Sequence, residues 1–409
     1  MAHKFASLVL LLLALTTGSL QCSTDTDCSL NGVCSRRNGQ CVCDAGWRGT
    51  DCGELDVQPA KRDNGYNRTD ENISSWGSKI IQDPHDKNLY HAFIAEFDNH
   101  CGLDYWSPYS RIIRAESHSG PDGPYIFKQQ VVEHFAHNPT VVYSPADQRY
   151  LMYYIGCPQP NVNETCKSPQ FTCGPGNYVN GESGISVQKS KDLRNWEFVD
   201  QVIQGKDDAS WNADFTNPSP WPSCSGQQKN QGGWPWGFGW GKPKCKDSDI
   251  LLAYRGCPYN CSGAEQISLA SAPSFYGPYT HLNNDEPIFT NDGGSEDPFI
   301  WQDKRGNYHI LVHSLEPEGG FGGGPKVGRH AFSRSIGGPW KFNNETLAFS
   351  TKVEFDDGTD IDYYRRERPQ LFFSDDGRMT PLFLTTGVQE VGSKMSYSVI
   401  VPVRGGRGW

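Results

Sequence analysis

The sequence lacks several features that would place it in a common class at once. Beyond the N-terminal region it has no apolar run of about 18 residues, so we expect no transmembrane segment. Long amphipathic helical patterns are absent, which argues against a helical fold. Positive charge is not in excess, because the formal net charge is −10. A general nucleic-acid binder, or a partner for anionic membranes, is therefore not expected.

The composition favours many short strands joined by turns. The 409 residues include 44 Gly and 27 Pro, and 12% of them are aromatic. Gly and Pro are typical of turns, and aromatic residues are typical of strands. We therefore predict an all-β fold, in a chain long enough for one large or two smaller domains.

Residues 1–21 predict a signal peptide. Lys4 precedes the apolar run from Leu8 to Leu15, which is too short to span a membrane and is followed by small residues. Fourteen cysteines, an even number, fit an oxidising compartment. We therefore expect a secreted, extracellular glycoprotein. The predicted N-glycosylation acceptors are Asn67, Asn72, Asn163, Asn260 and Asn344.

Six cysteines are concentrated in a short N-terminal stretch: Cys22, Cys28, Cys34, Cys41, Cys43 and Cys52. Their spacing alone leaves 15 disulfide connectivities open. With its final CVCDAGWRGTDC, the stretch over residues 22–53 resembles an EGF-like module. The resemblance implies pairing of the first cysteine with the third, the second with the fourth and the fifth with the sixth. Such a module serves as a spacer or docks an extracellular protein partner.

Residues 54–70 are polar and lack periodicity, which predicts a linker, and a repeat of strands then occupies residues 71–409. Four segments place a polar pair and a proline at the head of an apolar strand, with prolines 79, 80 and 71 residues apart. A strand repeat of this length predicts propeller blades around an axis. Five apolar second strands imply five blades, and the first inner strand, near Trp76, lacks the proline. The four segments begin His137-Asn138-Pro139, Thr216-Asn217-Pro218, Glu296-Asp297-Pro298 and Glu367-Arg368-Pro369.

The run from Glu296 to Trp301 and the Gly-Pro-aromatic turns at residues 123, 277 and 338 resemble a known group. They are similar to the five-bladed propellers of the family-43 glycoside hydrolases and their arabinanase, levansucrase and invertase relatives. The resemblance implies inverting hydrolysis of glycosidic bonds in an extracellular polysaccharide. It also implies one catalytic carboxyl on each of blades one to three. The matching positions here hold Ser78, Asn138 and Asn217, so these roles cannot be carried over residue by residue.

Strand direction nevertheless gathers polar residues at one end of the axis, because first strands start there, second strands end there and third strands begin there. In blade four the third strand is predicted over residues 329–335. Hydrolysis needs one carboxylic acid and one carboxylate with different pKa values, and His and Arg neighbours can tune them and hold sugar hydroxyls. The predicted catalytic residues are Asp297, Glu296, Glu367 and Glu96. The predicted substrate-binding residues are His313, His330, Arg329, Asn138, Asn217, His137, Arg255, Arg368 and Trp221.

Several alternatives remain open at this point. The propeller could bind carbohydrate as a lectin or adhesion domain without hydrolysis. Glu367 could be only an ion-pair partner of its arginine neighbours. No cofactor or metal is expected, although His313 and His330 could bind a metal together with Asp297. The loop from Gly319 to Gly324 could be a mobile lid over the site. The Trp-rich loop over 211–245 could be a platform on which sugars stack. The eight later cysteines could form local disulfides.

Overall fold

The computed structural model describes residues 22–68, 72–98, 100–156, 166, 184–206, 209–223, 249–316 and 325–405. The predicted signal peptide, the Gly319–Gly324 loop and most of the Trp-rich loop lie outside these ranges. Within them the chain is nearly all β, with one short α-helix, α1 (Trp106–Tyr109), and 3-10 turns at Asp25–Cys28, Leu103–Tyr105, Tyr259–Cys261 and Asn283–Asp285. None of the described helices has the length and apolarity to cross a membrane.

The N-terminal module consists of two small hairpins. Strand β1 (Gly32–Ser35) pairs with β2 (Gln40–Cys43), and β3 (Trp47–Arg48) pairs with β4 (Glu54–Leu55). The disulfides Cys22–Cys34, Cys28–Cys41 and Cys43–Cys52 confirm the pairing that the EGF-like resemblance implied. They also stabilise a segment too small to bury a sufficient core.

The rest of the described chain forms five antiparallel units of consecutive strands. Unit one contains β5 (Ser74–Gln82), β6 (Tyr90–Phe97), β7 (Ser110–Ser117) and β8 (Ile126–Val132). Unit two contains β9 (His137–Ser144), β10 (Arg149–Ile155), β11 (Ile185–Ser190) and β12 (Trp196–Ile203). Unit three contains β13 (Asp214–Pro222), β14 (Ile250–Cys257), β15 (Gln266–Ala272) and β16 (Thr280–His281).

The last two units are joined into one sheet by a single bridge between Lys326 and Arg365. Unit four contains β17 (Ser295–Gln302), β18 (Tyr308–Leu315), β19 (Lys326–Ser333) and β20 (Lys341–Phe342). A hairpin, β21 (Lys352–Glu354) and β22 (Asp360–Asp362), precedes unit five, which contains β23 (Arg365–Phe373), β24 (Pro381–Gln389) and β25 (Ser396–Pro402). The first strands β5, β9, β13, β17 and β23 contact one another in this order, and β23 also contacts β5.

Most predicted second and third strands are confirmed to within one or two residues, because their apolar patterns are local. One prediction shifts: β19 begins at Lys326 rather than at Arg329. The polar pairs also lie inside the first strands rather than ahead of them, since β17 already begins at Ser295.

Each first strand carries a β-bulge where the pairing register skips, and in units two to five this bulge lies at the polar pair. The residue at the bulge has a left-handed backbone with φ of 51–57° in all five units, and the next residue is proline in units two to five. A bulge tolerates proline because its N–H is not needed for pairing. The equivalent residue in unit one is therefore Gly77, not Ser78. The five positions are Gly77, Asn138, Asn217, Asp297 and Arg368.

The N-terminal segment is fixed against the last two units. The predicted linker runs along β25, where Val57 bridges to Val403 and Tyr66 bridges to Ser398. Trp47 of the EGF-like module stacks on Trp301 of unit four at 6.4 Å between ring centroids. Both rings belong to the largest apolar cluster, which spans the module and units three to five. The module is thus packed on the β units rather than held apart from them.

The predictions for the later cysteines and for the glycosylation acceptors are met only in part. Cys257–Cys261 is a local disulfide, but Cys101–Cys166 spans 65 residues and joins loops of units one and two, so it is not local. The other four late cysteines lie outside the described residues. Asn72 and Asn344 are exposed, Asn67 is half-buried, and Asn163 lies outside the described residues. Asn260 lies in a 3-10 turn.

Candidate active site

The bulge residues of units two to five meet where the first strands β9, β13, β17 and β23 contact one another. The Asn138 side-chain amide donates to Asn217 Oδ1 at 3.2 Å and lies 3.5 Å from Asp297 Oδ1. The backbone N–H of Arg368 donates to Asp297 Oδ2 at 3.0 Å. We call Gly77, Asn138, Asn217, Asp297 and Arg368 the axial residues. Their convergence explains why the polar pairs repeat at such long intervals in the sequence.

The Arg368 side chain fills the axis. Only 2% of Arg368 is exposed, and its guanidinium donates to the carbonyl oxygens of Asn138 at 2.8 Å and Pro218 at 3.3 Å. Its Nη1 lies 3.4 Å from Asp297 Oδ1. A Cβ atom at Gly77 would lie 2.5 Å from Arg368 Cγ, so only glycine leaves room for this arginine. Asp297 is therefore the charge partner of a buried arginine.

His313 lies between the carboxyl groups of units four and five. Its Nδ1 is 3.8 Å from Glu296 Oε1 and 4.0 Å from Asp297 Oδ2, while its Nε2 is 3.7 Å from Glu367 Oε1. These distances are too long for hydrogen bonds, and neither ring nitrogen has a hydrogen-bond partner among the described residues, although the ring is fully buried. A buried imidazole without partners is unusual in a structural core.

Three of these four side chains could hold a divalent cation. One potential ligand atom from each of Asp297, His313 and Glu367 lies within 4.8 Å of the other two. Carboxylate and imidazole ligands suit several transition metals. The metal alternative considered from the sequence named His330 in place of Glu367, and the structure corrects that set.

Glu265 belongs to this site and was missed by the sequence analysis. Its Oε1 lies 3.3 Å from Arg255 Nη2, and the same nitrogen lies 4.0 Å from Glu296 Oε2. The nearby carboxyl group of Glu296 adds to the burial that raises the pKa of Glu265. Glu265 immediately precedes β15, so the rule that third strands begin at the site face could have identified it. The same rule, applied to the correct start of β19, identifies Lys326.

The environments of the buried carboxyl groups shift their pKa values in different directions. Burial raises the pKa of Glu367 to about 7, and that of Asp297 to about 6, with the charge of Glu296 adding to both shifts. Burial also raises the pKa of Glu265 well above its usual range. For Glu296, His313 and Arg255 outweigh burial and hold the pKa below its usual range. Neighbouring carboxyl groups with separated pKa values can serve as an acid and a base.

Five of the predicted substrate-binding residues lie together at this site: Asn138, Asn217, Arg255, Arg368 and His313. Three other predicted site residues, Glu96, Arg329 and His330, do not lie with them. Glu96 accepts a 2.6 Å bond from Arg111 and a bond from the Tyr66 hydroxyl, next to the N-terminal segment. The positions of the other two are corrected because β19 begins three residues early, so Gly328 faces His313. Arg329 pairs with Glu316 at 2.7 Å, and the ring of His330 lies 5.2 Å from that of Trp47 in the EGF-like module.

Two further residues that were predicted to bind substrate, His137 and Trp221, are packed in the interior instead. His137 lies against Trp106 at 4.8 Å between ring centroids, and its Nδ1 is 2.8 Å from Ser110 Oγ, so it is packed and satisfied. Trp221 pairs with Leu251 near the end of β13 that lies away from the bulge, and only 2% of it is exposed. It contributes to the apolar core because β13 continues well past Asn217.

Comparison with known proteins supports the two-part architecture. Residues 22–52 match the family model of the EGF-like domain. A solved glycoside hydrolase resembles the chain with a TM-score of 0.53 at 12% identity, over 84% of this chain and 92% of that one. Zg3597, a family 117 glycoside hydrolase from the marine bacterium Zobellia galactanivorans, has a TM-score of 0.52 at 14% identity, over 86% and 90% of the two chains.

A third solved structure belongs to a different glycoside hydrolase. The α-L-arabinofuranosidase PaAbf62A from Podospora anserina has a TM-score of 0.51 at 10% identity, over 85% of this chain and 95% of that one. No curated protein matches the sequence. The chain therefore has a propeller-type β fold like that of glycoside hydrolases, preceded by an EGF-like module.

Proposed function

We propose that this chain is a secreted glycoside hydrolase that cleaves O-glycosidic bonds in an extracellular polysaccharide. We further propose that the five units are the blades of one closed propeller. The contacts between successive first strands, including β23 with β5, support closure. The disulfide-rich EGF-like module is consistent with an extracellular location.

The observation that carries the activity is the arrangement of Glu296 and Glu367 on either side of His313. Their carboxyl oxygens lie 3.8 and 3.7 Å from opposite nitrogens of its ring. The Glu296 side chain is 23% exposed, so substrate or water can reach this group. Glycoside hydrolysis requires a pair of carboxyl groups in different protonation states.

The pKa shifts of the two carboxyl groups support one division of the catalytic roles. Glu367, with its pKa raised to about 7 by burial, is about half protonated at neutral pH and donates its proton to the leaving oxygen. Glu296, with its pKa held low beside His313 and Arg255, is ionised and activates water. Burial lowers the pKa of His313, and its two ring nitrogens face the two carboxyl groups of the proposed pair.

Binding without hydrolysis is the second candidate, and one observation favours it. None of the axial residues in units one to three carries a carboxyl group, since these positions hold Gly77, Asn138 and Asn217. The sole axial carboxylate, Asp297, is already paired with Arg368. A lectin-like propeller would need only the polar surface around these residues.

The two candidates are separated by measuring binding and product release together. The full chain is incubated with a panel of polysaccharides, and bound glycan and new reducing ends are both quantified. We expect release by the wild type, loss of release with retained binding in Glu296→Gln and Glu367→Gln, and no change in Glu354→Gln, an exposed control. Binding without release by the wild type would instead establish the lectin-like function. NMR of the first product tests the predicted inversion.

A further inference from the structure

An exposed aromatic ring with two cations lies at the edge of the proposed site. Tyr364 is 52% exposed and immediately precedes β23. The guanidinium carbon of Arg365 lies 5.5 Å from the centroid of this ring, and Lys326 Nζ lies 5.4 Å from it. We call these three residues the cationic rim. The exposed tyrosine and the partly exposed Arg365 present a stacking surface and positive charge to solvent, while the buried Lys326 adds its charge close by.

The cationic rim is continuous with the proposed catalytic pair. Arg365 Nη1 lies 3.5 Å from Glu367 Oε1, and Lys326 is the bridge partner of Arg365. The Arg365 side chain is 32% exposed, yet its Nε is buried and has no hydrogen-bond partner among the described residues. A ligand bound beside Glu367 would therefore meet a guanidinium that is only partly satisfied.

The local charge also differs from that of the whole chain. Four cations surround the site: Arg255, Lys326, Arg365 and Arg368. Four carboxyl groups lie beside them: Glu265, Glu296, Asp297 and Glu367. Cations and carboxyl groups are therefore equal in number here, within a chain of net charge −10. A local concentration of cations in an acidic protein favours the approach of an anion against the overall repulsion.

We propose that the cationic rim recognises an anionic sugar next to the scissile bond, with Arg365 binding its acidic group, Lys326 adding positive charge close by and Tyr364 stacking on its ring. Guanidinium groups form charge-assisted hydrogen bonds with carboxylates and with tetrahedral oxyanions, so a uronate and a sulfate ester share this chemistry. The substrate class rests on the proposed function, whereas the binding preference itself does not require hydrolysis.

The experiment is a calorimetric titration of the full chain with oligosaccharides of matched length. The three probes are an oligouronate, a sulfated galactan oligosaccharide and a neutral arabinoxylan oligosaccharide, and the Glu296→Gln variant is used for any probe that is cleaved. We expect one anionic probe to bind at least about tenfold more tightly than the neutral one. Which anionic probe binds more tightly identifies the acidic group. The affinity should fall as salt rises from about 50 to 300 mM.

Variants locate the preference on the cationic rim. Arg365→Gln should remove about tenfold of the affinity for the anionic probe and little of that for the neutral one, and Arg365→Lys should restore part of it. Arg378→Gln removes an exposed arginine elsewhere and should leave binding unchanged. Equal affinity for anionic and neutral probes, or no binding to any probe, overturns the inference. Tight anionic binding without cleavage would overturn the hydrolase while leaving the inference intact.

Discussion

Two buried glutamates, Glu96 in unit one and Glu367 in unit five, have opposite surroundings. Both carboxyl oxygens of Glu96 are occupied, one by Arg111 and the other by the Tyr66 hydroxyl. Glu367 faces His313 at 3.7 Å and Arg365 at 3.5 Å. A satisfied buried carboxylate holds elements together, while one with spare capacity beside an unpaired imidazole is available to a ligand.

The largest expected effect is on catalysis, and it tests the contrast between Glu367 and Glu96 directly. Glu367→Gln removes the proposed proton donor and should lower kcat by about 10²–10⁴-fold on the polysaccharide that the panel identifies. The side chain keeps its size, so thermal unfolding should change little, and Glu354→Gln serves as the matched control. Full activity in Glu367→Gln would show that the contrast with Glu96 has no catalytic meaning.

The axial pair is expected to matter mainly for stability. Asp297→Asn leaves the buried guanidinium of Arg368 without its charge partner and should reduce the free energy of unfolding by about 3–5 kcal/mol. The left-handed backbone at position 297 would not contribute to this loss of stability, because units two and three already hold Asn at the equivalent position. Urea denaturation measures the change, and an unaltered midpoint would contradict the structural role of Asp297.

Glu96 should show a smaller effect, and on folding rather than on catalysis. Glu96→Gln weakens the ion pair with Arg111, which joins two strands of unit one beside Tyr66 of the N-terminal segment, and should cost about 1–3 kcal/mol. Comparing its unfolding midpoint with that of Tyr66→Phe tests whether both belong to one network. A loss of kcat as large as that of Glu367→Gln, at unchanged stability, would instead place Glu96 in the catalytic group.

The smallest expected effect is the pH dependence near neutrality. Glu367 must be protonated and has a pKa of about 7, so activity should fall as pH rises above 7, reaching about a tenfold loss one to two units higher. Glu296 must be ionised and has a lowered pKa, so activity should persist well into the acid range. The pH profile of kcat/KM measures both the loss of activity above pH 7 and its persistence in the acid range. A profile that is flat from pH 6 to 9 would contradict the role of Glu367 as acid.

The same shift has a consequence for folding. Because the folded-state pKa of Glu367 lies above its ordinary value of 4.5, the folded state binds this proton more tightly than the unfolded state. Its contribution to stability is therefore present below about pH 4.5 and is lost as pH rises towards 7. The Glu367→Gln variant should lack that dependence.

What the sequence by itself determined is local. The cysteine spacing and the turn after Cys43 specified the EGF-like module, since so short a segment folds around its own disulfides. Apolar runs placed most second and third strands, and the recurring prolines marked the first strands because a bulge admits a residue without an N–H.

Only the tertiary structure decided which polar groups meet. The start of β19 at Lys326 moved His330 to the EGF-like module, and no local pattern separates that start from one three residues later. Arg368 fills the axis only because Gly77, nearly 300 residues earlier in the chain, leaves space for it. Glu265 reaches Glu296 across a boundary between units. Such neighbours are set by the packing of distant strands, so a pattern read along one strand does not contain them.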